Sequence, residues 1–168
     1  MKTIQRILDQ HGALALPGLF DALSARIAER GFDLDATDGT PAMVRKANER
    51  FDIGARVMLF EELDSHGDYD AVWAHACLLH LSHVDLKDTL FAIHRALRSG
   101  GWHFANYKLG DGEGRDRLGC LHNFPDAQWL TQIYRQAGFT IEDAETYAGE
   151  GADGTQRDWI ALTVRRSG

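Results

Sequence analysis

Two cysteines in 168 residues, Cys77 and Cys120, with no C-x-x-C pair, leave this chain without a disulfide framework or a thiolate cage for zinc. A reduced, cytoplasmic setting is the expectation. Surplus positive charge is also missing: 18 Lys and Arg stand against 25 Asp and Glu, a formal net charge of −7. Proteins that grip nucleic acid or anionic membranes need clustered Lys and Arg, so neither is an expected partner. No uncharged apolar run approaches the ~18 residues of a membrane span. The opening MKTIQRILDQHG has neither an apolar h-region nor a cleavage site. Repeats, linkers and low-complexity tracts are absent, and the length suits a single α/β domain over 1–168 with one core.

What is present is an alternation of short apolar strands and amphipathic helices. Residues 2–11 read as a helix and Ala13–Leu16 as a strand stopped by Pro17-Gly18. A helix capped by Asp21 then closes at Gly31. The second strand is Phe32–Thr37, followed by a helix from Pro41 to about Arg50 with proline in its first turn. A third strand is expected over Arg56–Phe60 and a fourth over Tyr69–Ala74. Leu86, Leu90, Ile93 and Leu97 recur at helical spacing, with Gly100-Gly101 as the expected C-cap. A fifth strand covers Trp102–Tyr107. Residues 109–123 read as a long polar loop, and Asp126 caps a last helix closed by Gly138. Two closing strands near Phe139–Thr146 and Arg157–Val164 have no helix between them and should pair antiparallel at a sheet edge. The pattern predicts a mostly parallel sheet with helices on both faces and a C-terminal antiparallel hairpin. Ligands in such sheets bind at the carboxyl ends of the strands.

The stretch FDLDATDGTPAM, Phe32 to Met43, places Asp38 at the carboxyl end of the second strand, with Gly39 turning into the next helix. A carboxylate there can accept from both hydroxyls of a ribose, which makes it a nucleotide-cofactor signature. His75, His80 and His83 are spaced five and three apart. They fall in a strand-to-helix loop without a Cys pair or acid placed to complete a ligand set, so no metal site is expected.

In order and spacing these elements resemble the class I S-adenosylmethionine-dependent methyltransferases, a Rossmann-like fold, over about residues 32–166. Asp38 and Gly39 in DATDGTPAM match the family's ribose-binding acid and the helix start after it. FEELD, Phe60 to Asp64, resembles the segment after the third strand that contacts adenine. The resemblance implies that Glu62 accepts from the exocyclic amine and Leu63 covers the ring. DYDAVWAHACLLHL, Asp68 to Leu81, resembles the fourth-strand motif, with Ala74 and His75 beside the sulfonium and the target. His80 in that motif reads as a packing residue. ALRSGGWHFANYK, WLTQIYRQAGF and DWIALTVRR resemble the fifth strand, last helix and last strand, with Ser99 where a proline is usual.

The front of the chain departs from the family. A G-x-G-x-G loop should follow the first strand, but Leu14 to Phe32 reads LALPGLFDALSARIAERGF, with Gly18 alone before the closing Gly31. Over about residues 3–32 this stretch resembles the opening unit of the isocitrate lyase and phosphoenolpyruvate mutase superfamily, whose metal-binding acids have no counterpart here. A βα unit of a barrel and of a doubly wound sheet share one handedness. The resemblances together imply a chimera, natural or engineered: an atypical first unit over 1–32 on a methyltransferase-like body over 33–168.

Two functions follow as expectations. One is a small-molecule methyltransferase using S-adenosylmethionine, with Gly18, Asp38, Gly39, Glu62, Leu63 and Ala74 on the cofactor, and His75 and Tyr107 as the catalytic candidates. Lys108, Arg115 and Asn123 are further candidates for an acceptor pocket. The other is a non-enzymatic scaffold that keeps the fold while the altered first unit has weakened or abolished cofactor binding.

Overall fold

The computed structural model describes residues 13–17, 33–151 and 153–168. Seven strands form one sheet: β1 Ala13–Pro17, β2 Asp33–Asp38, β3 Arg56–Val57, β4 Tyr69–Ala74, β5 Leu97–Lys108, β8 Phe139–Glu150 and β9 Gln156–Arg166. Their spatial order is β3-β2-β1-β4-β5-β9-β8. The first five run parallel, and β9 pairs antiparallel with both β5 and β8. The terminal hairpin expected from the sequence is present, and both its strands are longer than expected. Strand order reverses between β1 and β4, which opens a crevice at their carboxyl ends.

Strand β4 explains why the sheet packs on both sides. Its sequence YDAVWA is apolar at every position but one, and all residues except Asp70 are buried, as a strand covered on both faces requires. On one face Ala71 and Trp73 join Trp102 and Phe104, with Trp73 stacked on Phe104 at 4.1 Å. Helix α1, Pro41–Phe51, adds Val44 and Ala47 to this cluster. On the other face Val72 and Ala74 meet Leu86, Leu90 and Ile93 of α2, His83–Ala96, and Leu130 and Ile133 of α3, Ala127–Gln136. The 3.6-residue spacing of these apolar positions is what turns one stripe of each helix to the sheet. Ser82 caps α2 by accepting from Asp85 N–H, and Asp126 caps α3 by accepting from Gln128 and Trp129 N–H.

The structure corrects three expectations. Strand β3 spans only two residues, and the chain then turns through a 3-10 segment at Phe60–Glu62. Helix α2 ends at Ala96 without a glycine cap, because Leu97 is already extended and pairs with Tyr69 of β4. Gly100 and Gly101 lie in β5, in a bulge between that pair and Ala71–Trp102. A Cβ on Gly101 would stand 2.9 Å from the Arg98 carbonyl and 3.1 Å from that of Asp70, so close backbone approach explains this glycine. Residues 109–123 are not a plain loop: β6 Gly114–Arg115 and β7 Leu121–His122 pair as a small ribbon. The expected elements before β1 and between β1 and β2 lie outside the described residues. Among the described residues no helix is long and apolar enough to cross a membrane.

Two polar devices tie the layers together. Arg56 forks onto Asp35 at 2.9 and 2.8 Å, and the Tyr69 hydroxyl donates to the same carboxylate at 2.5 Å, linking β2, β3 and β4. The Arg56 guanidinium holds the Asp35 carboxyl below its usual range, and burial raises the Tyr69 phenol. Deeper in the core, His103 Nδ1 lies 2.9 Å from the Val72 carbonyl, which can only accept, so Nδ1 carries the hydrogen. Nε2 then accepts from the Tyr134 hydroxyl at 3.1 Å, and Tyr134 accepts from Tyr107 at 2.7 Å. The ring is neutral in the folded protein, because burial pushes its pKa down to about 4.

The His103 imidazole makes stability fall with acid. Between about pH 6.5 and 4 the unfolded chain binds a proton that the folded chain refuses, so stability drops as pH is lowered through that window, by up to about 1.4 kcal/mol per pH unit. His94 and His122, also held below their ordinary range by burial, act in the same direction. Urea unfolding from pH 7 to pH 4.5 is expected to show this fall, and His103→Phe should flatten it. An unchanged slope in the variant would show that other groups set the pH dependence.

Candidate functional site

A cleft of about 310 Å³ opens at the carboxyl ends of β2, β3 and β4, within the range of small-molecule sites. Its polar corner is Asp38, the last residue of β2, buried to 8 % exposure. One carboxylate oxygen, Oδ1, accepts from Thr40 N–H at 2.7 Å, which turns the chain through Gly39 into α1. Oδ2 makes no hydrogen bond with a described residue. The short β3 brings Met58, Leu59 and Phe60 across the strand ends as an apolar wall, held by the Met58 N–H to the Asp38 carbonyl at 3.2 Å. Cys77, His80 and Leu81, from the segment after β4, form the opposite side.

A larger groove of about 480 Å³ adjoins the cleft and shares Phe60, Glu61 and Leu81 with it. Asp85, Asp88 and Arg95 line the rest, along the side of α2. It meets no described strand end, where ligands of such sheets bind, so the smaller cleft is the better candidate.

Asp38 and Gly39 therefore both line this cleft. Glu62 and Leu63 do not line the cleft. The Glu62 carboxylate accepts from Leu59 N–H at 2.7 Å and closes its own turn, while Leu63 is buried in the core. Glu61, which sequence reasoning passed over, is the glutamate that lines the cleft. Ala74 is fully buried at the end of β4, and His75, just beyond it, is half-buried with its ring parallel to Phe104 at 6.4 Å. Gly18 lies outside the described residues.

Tyr107 is corrected outright as a catalytic candidate. It is fully buried, its hydroxyl is committed to Tyr134, and burial raises its phenol well above the ordinary value. The strand period explains the outcome: Tyr107 shares a sheet face with His103 and Ala105 under α3, not with the loops. Lys108 and Asn123 are likewise buried, and Arg115 is exposed on the ribbon. Among the described residues no group of three or more His, Cys, Asp or Glu could hold a metal ion.

Asn106 is a residue that sequence reasoning missed. It is buried, and its Oδ1 accepts from Ala76 N–H at 2.6 Å while its amide donates to the Tyr147 hydroxyl at 3.0 Å. Ala76 has a φ of +52°, costly for a residue with a Cβ. Asn106 thus holds the turn that follows β4 and carries His75. An amide interrupting the apolar run of β5 was the signal available.

Comparison with known proteins bears on the fold. A family profile described as a methyltransferase domain matches residues 22–101, slightly under half of the chain. The match begins ahead of residue 33, where the sequence suggested that a methyltransferase-like body starts. No curated protein matches by sequence. Among solved structures, the 1,6-didemethyltoxoflavin-N1-methyltransferase of Burkholderia thailandensis, bound to its substrate and S-adenosylhomocysteine, is 20% identical. Its TM-score is 0.79, covering 99% of this chain and 76% of that one. A SAM-dependent methyltransferase of Methanosarcina mazei is 13% identical with a TM-score of 0.84, covering 99% and 98%. The cyclase SpnF is 19% identical with a TM-score of 0.72, covering 99% and 80%. At these identities the likeness speaks to fold alone. The fold is the Rossmann-like α/β fold of S-adenosylmethionine-dependent methyltransferases, and residues 22–101 carry the sequence signature of a methyltransferase domain.

The two thiols should behave differently. Burial, with the Asp38 carboxylate nearby, pushes the Cys77 thiol up to about 12 although it borders the cleft, whereas Cys120 is exposed on the ribbon. A disulfide reagent at pH 8 is expected to titrate one thiol in the native protein and the second only after denaturation. Two equally fast thiols in the native protein would contradict this packing.

Proposed function

We propose that this chain is an S-adenosylmethionine-dependent methyltransferase acting on a small molecule. The observation that carries the reading is Asp38: a carboxylate at the end of β2 that lines an apolar-walled cleft, with one oxygen spent on the turn and the other making no hydrogen bond with a described residue. This arrangement fits a nucleoside, whose ribose donates to the acid and whose base lies along Met58, Leu59 and Phe60. S-adenosylmethionine supplies an electrophilic methyl group, and the protein's part is to hold donor and acceptor in line and exclude water.

In this reading Asp38 and Gly39 hold the ribose, and Glu61, in place of Glu62, accepts from the exocyclic amine. Ala74 and Gly18 lie beside the methionine portion. His75 borders the acceptor and takes its proton where the acceptor keeps one. The methyltransferase of Burkholderia thailandensis binds 1,6-didemethyltoxoflavin, and a small-molecule acceptor is proposed here.

Calorimetric titration with S-adenosylhomocysteine tests the assignment. Micromolar binding is expected, weakened at least tenfold by Asp38→Ala, since hydrogen bonds to a charged group contribute about 1.5–3 kcal/mol each. A second reading, a scaffold that keeps the fold without binding cofactor, is favoured by the single Gly18 in place of a G-x-G-x-G loop. No heat with either S-adenosylmethionine or S-adenosylhomocysteine, from protein that melts cooperatively, would select that reading.

A further inference from the structure

His80 stands where the cleft meets the ribbon of residues 109–123. It lines the cleft, yet its ring is held from the other side. Nδ1 lies 2.9 Å from the Leu121 carbonyl. A carbonyl only accepts, so Nδ1 carries the hydrogen, and in the neutral ring the lone pair sits on Nε2. That nitrogen makes no hydrogen bond with a described residue.

The wall behind it is fixed. Asn123 donates its backbone N–H to the Leu79 carbonyl and its side-chain amide to the Leu78 carbonyl, both at 2.9 Å. His83 Nε2 meets the Asn123 carbonyl at 2.7 Å, and the Glu113 carboxylate accepts from His83 N–H. The His80 ring also packs 4.6 Å from that of His122, which is anchored to Asp116 at 2.9 Å. An imidazole braced in this way is a preset acceptor, with little rotational freedom left to lose on binding.

The charged and imidazole groups of the cleft are acceptors. Asp38, Glu61 and His80 bring acceptors to it, beside the Thr37 and Thr40 hydroxyls, which can donate or accept, and an apolar wall. Such a site favours a flat ligand with several donors. We infer that His80 is a ligand-binding residue of this cleft, its Nε2 accepting a hydrogen bond from the bound nucleoside, either the exocyclic amine of the base or a ribose hydroxyl. The inference rests on the cofactor reading above and adds a contact to it. The role implied by the resemblance, packing alone, is the rival.

The test is calorimetry on the whole chain with S-adenosylhomocysteine, its inosine counterpart, which lacks the amine, and its 2′-deoxy and 3′-deoxy counterparts. His80→Phe keeps a ring against His122 without an acceptor, and His80→Gln restores an acceptor near the Nε2 position. Expected is a five- to tenfold loss of S-adenosylhomocysteine affinity in His80→Phe, about one neutral hydrogen bond, with part regained in His80→Gln. The analogue lacking the relevant donor should bind His80→Phe and the unaltered protein within about twofold, and which analogue does so identifies the donor. Unchanged affinity in His80→Phe, or one equal loss for every analogue, would overturn the inference in favour of packing. Should that variant not fold, nitrogen-15 spectra of the unaltered protein decide. A protonated Nδ1 and a ligand-induced shift at Nε2 support the contact, and an unmoved Nε2 refutes it. Failure of the unaltered protein to bind S-adenosylhomocysteine removes the cofactor reading and this contact together. Binding that depends on Asp38 but not on His80 removes only the contact.

Discussion

Burial of β4 on both faces is the constraint from which the rest of the structure follows. A six-residue strand with only Asp70 outside the buried set must be flanked by strands and covered by two layers. Its parallel pairing with β1 and β5 sets the strand order, and its two faces assign the helices. Because the chain leaves β4 toward the reversal point of the sheet, the segment that follows, from His75 through Leu81, has to border the crevice. Cys77, His80 and Leu81 reach the cleft for that reason.

The site is built from turns that begin where strands run out. Asp38 ends β2 by giving an oxygen to the next backbone N–H, and β3 stops after two residues so that Met58 to Glu61 can cross the strand ends. A longer β3 would have carried those side chains along the sheet edge instead. The same logic applies on the far side, where Asn106 pins the left-handed turn at Ala76 and the ribbon fixes His80. Hydrogen bonds to backbone groups, more than side-chain ion pairs, set the shape of this crevice. Such bonds hold buried polar groups that would otherwise cost about 1–3 kcal/mol each if left unpaired.

Much of the architecture was legible in the sequence, because strand and helix periods are written in positions such as Ala71–Ala74 and Leu86, Leu90 and Ile93. The place of Asp38 at the end of β2, before a glycine turn, was legible too. The failures have physical causes. Glu62 and Glu61 are adjacent, and which one faces the cleft depends on a 3-10 turn whose capping bond to Leu59 no pattern announces. Tyr107 was misplaced because strand ends carry residues for both faces, and only packing under α3 shows which is core. The glycines at 100 and 101 looked like a helix cap, whereas contact with the Arg98 and Asp70 carbonyls demanded them. The ribbon escaped notice because two-residue strands leave no periodicity.

The central claim is that a nucleoside cofactor sits against Asp38. A crystal structure grown with saturating S-adenosylhomocysteine tests it most directly. Both ribose hydroxyls are expected within hydrogen-bond distance of the Asp38 carboxylate, with the base along Met58, Leu59 and Phe60. A ligand lodged elsewhere, or a cleft left empty at saturation, would contradict it.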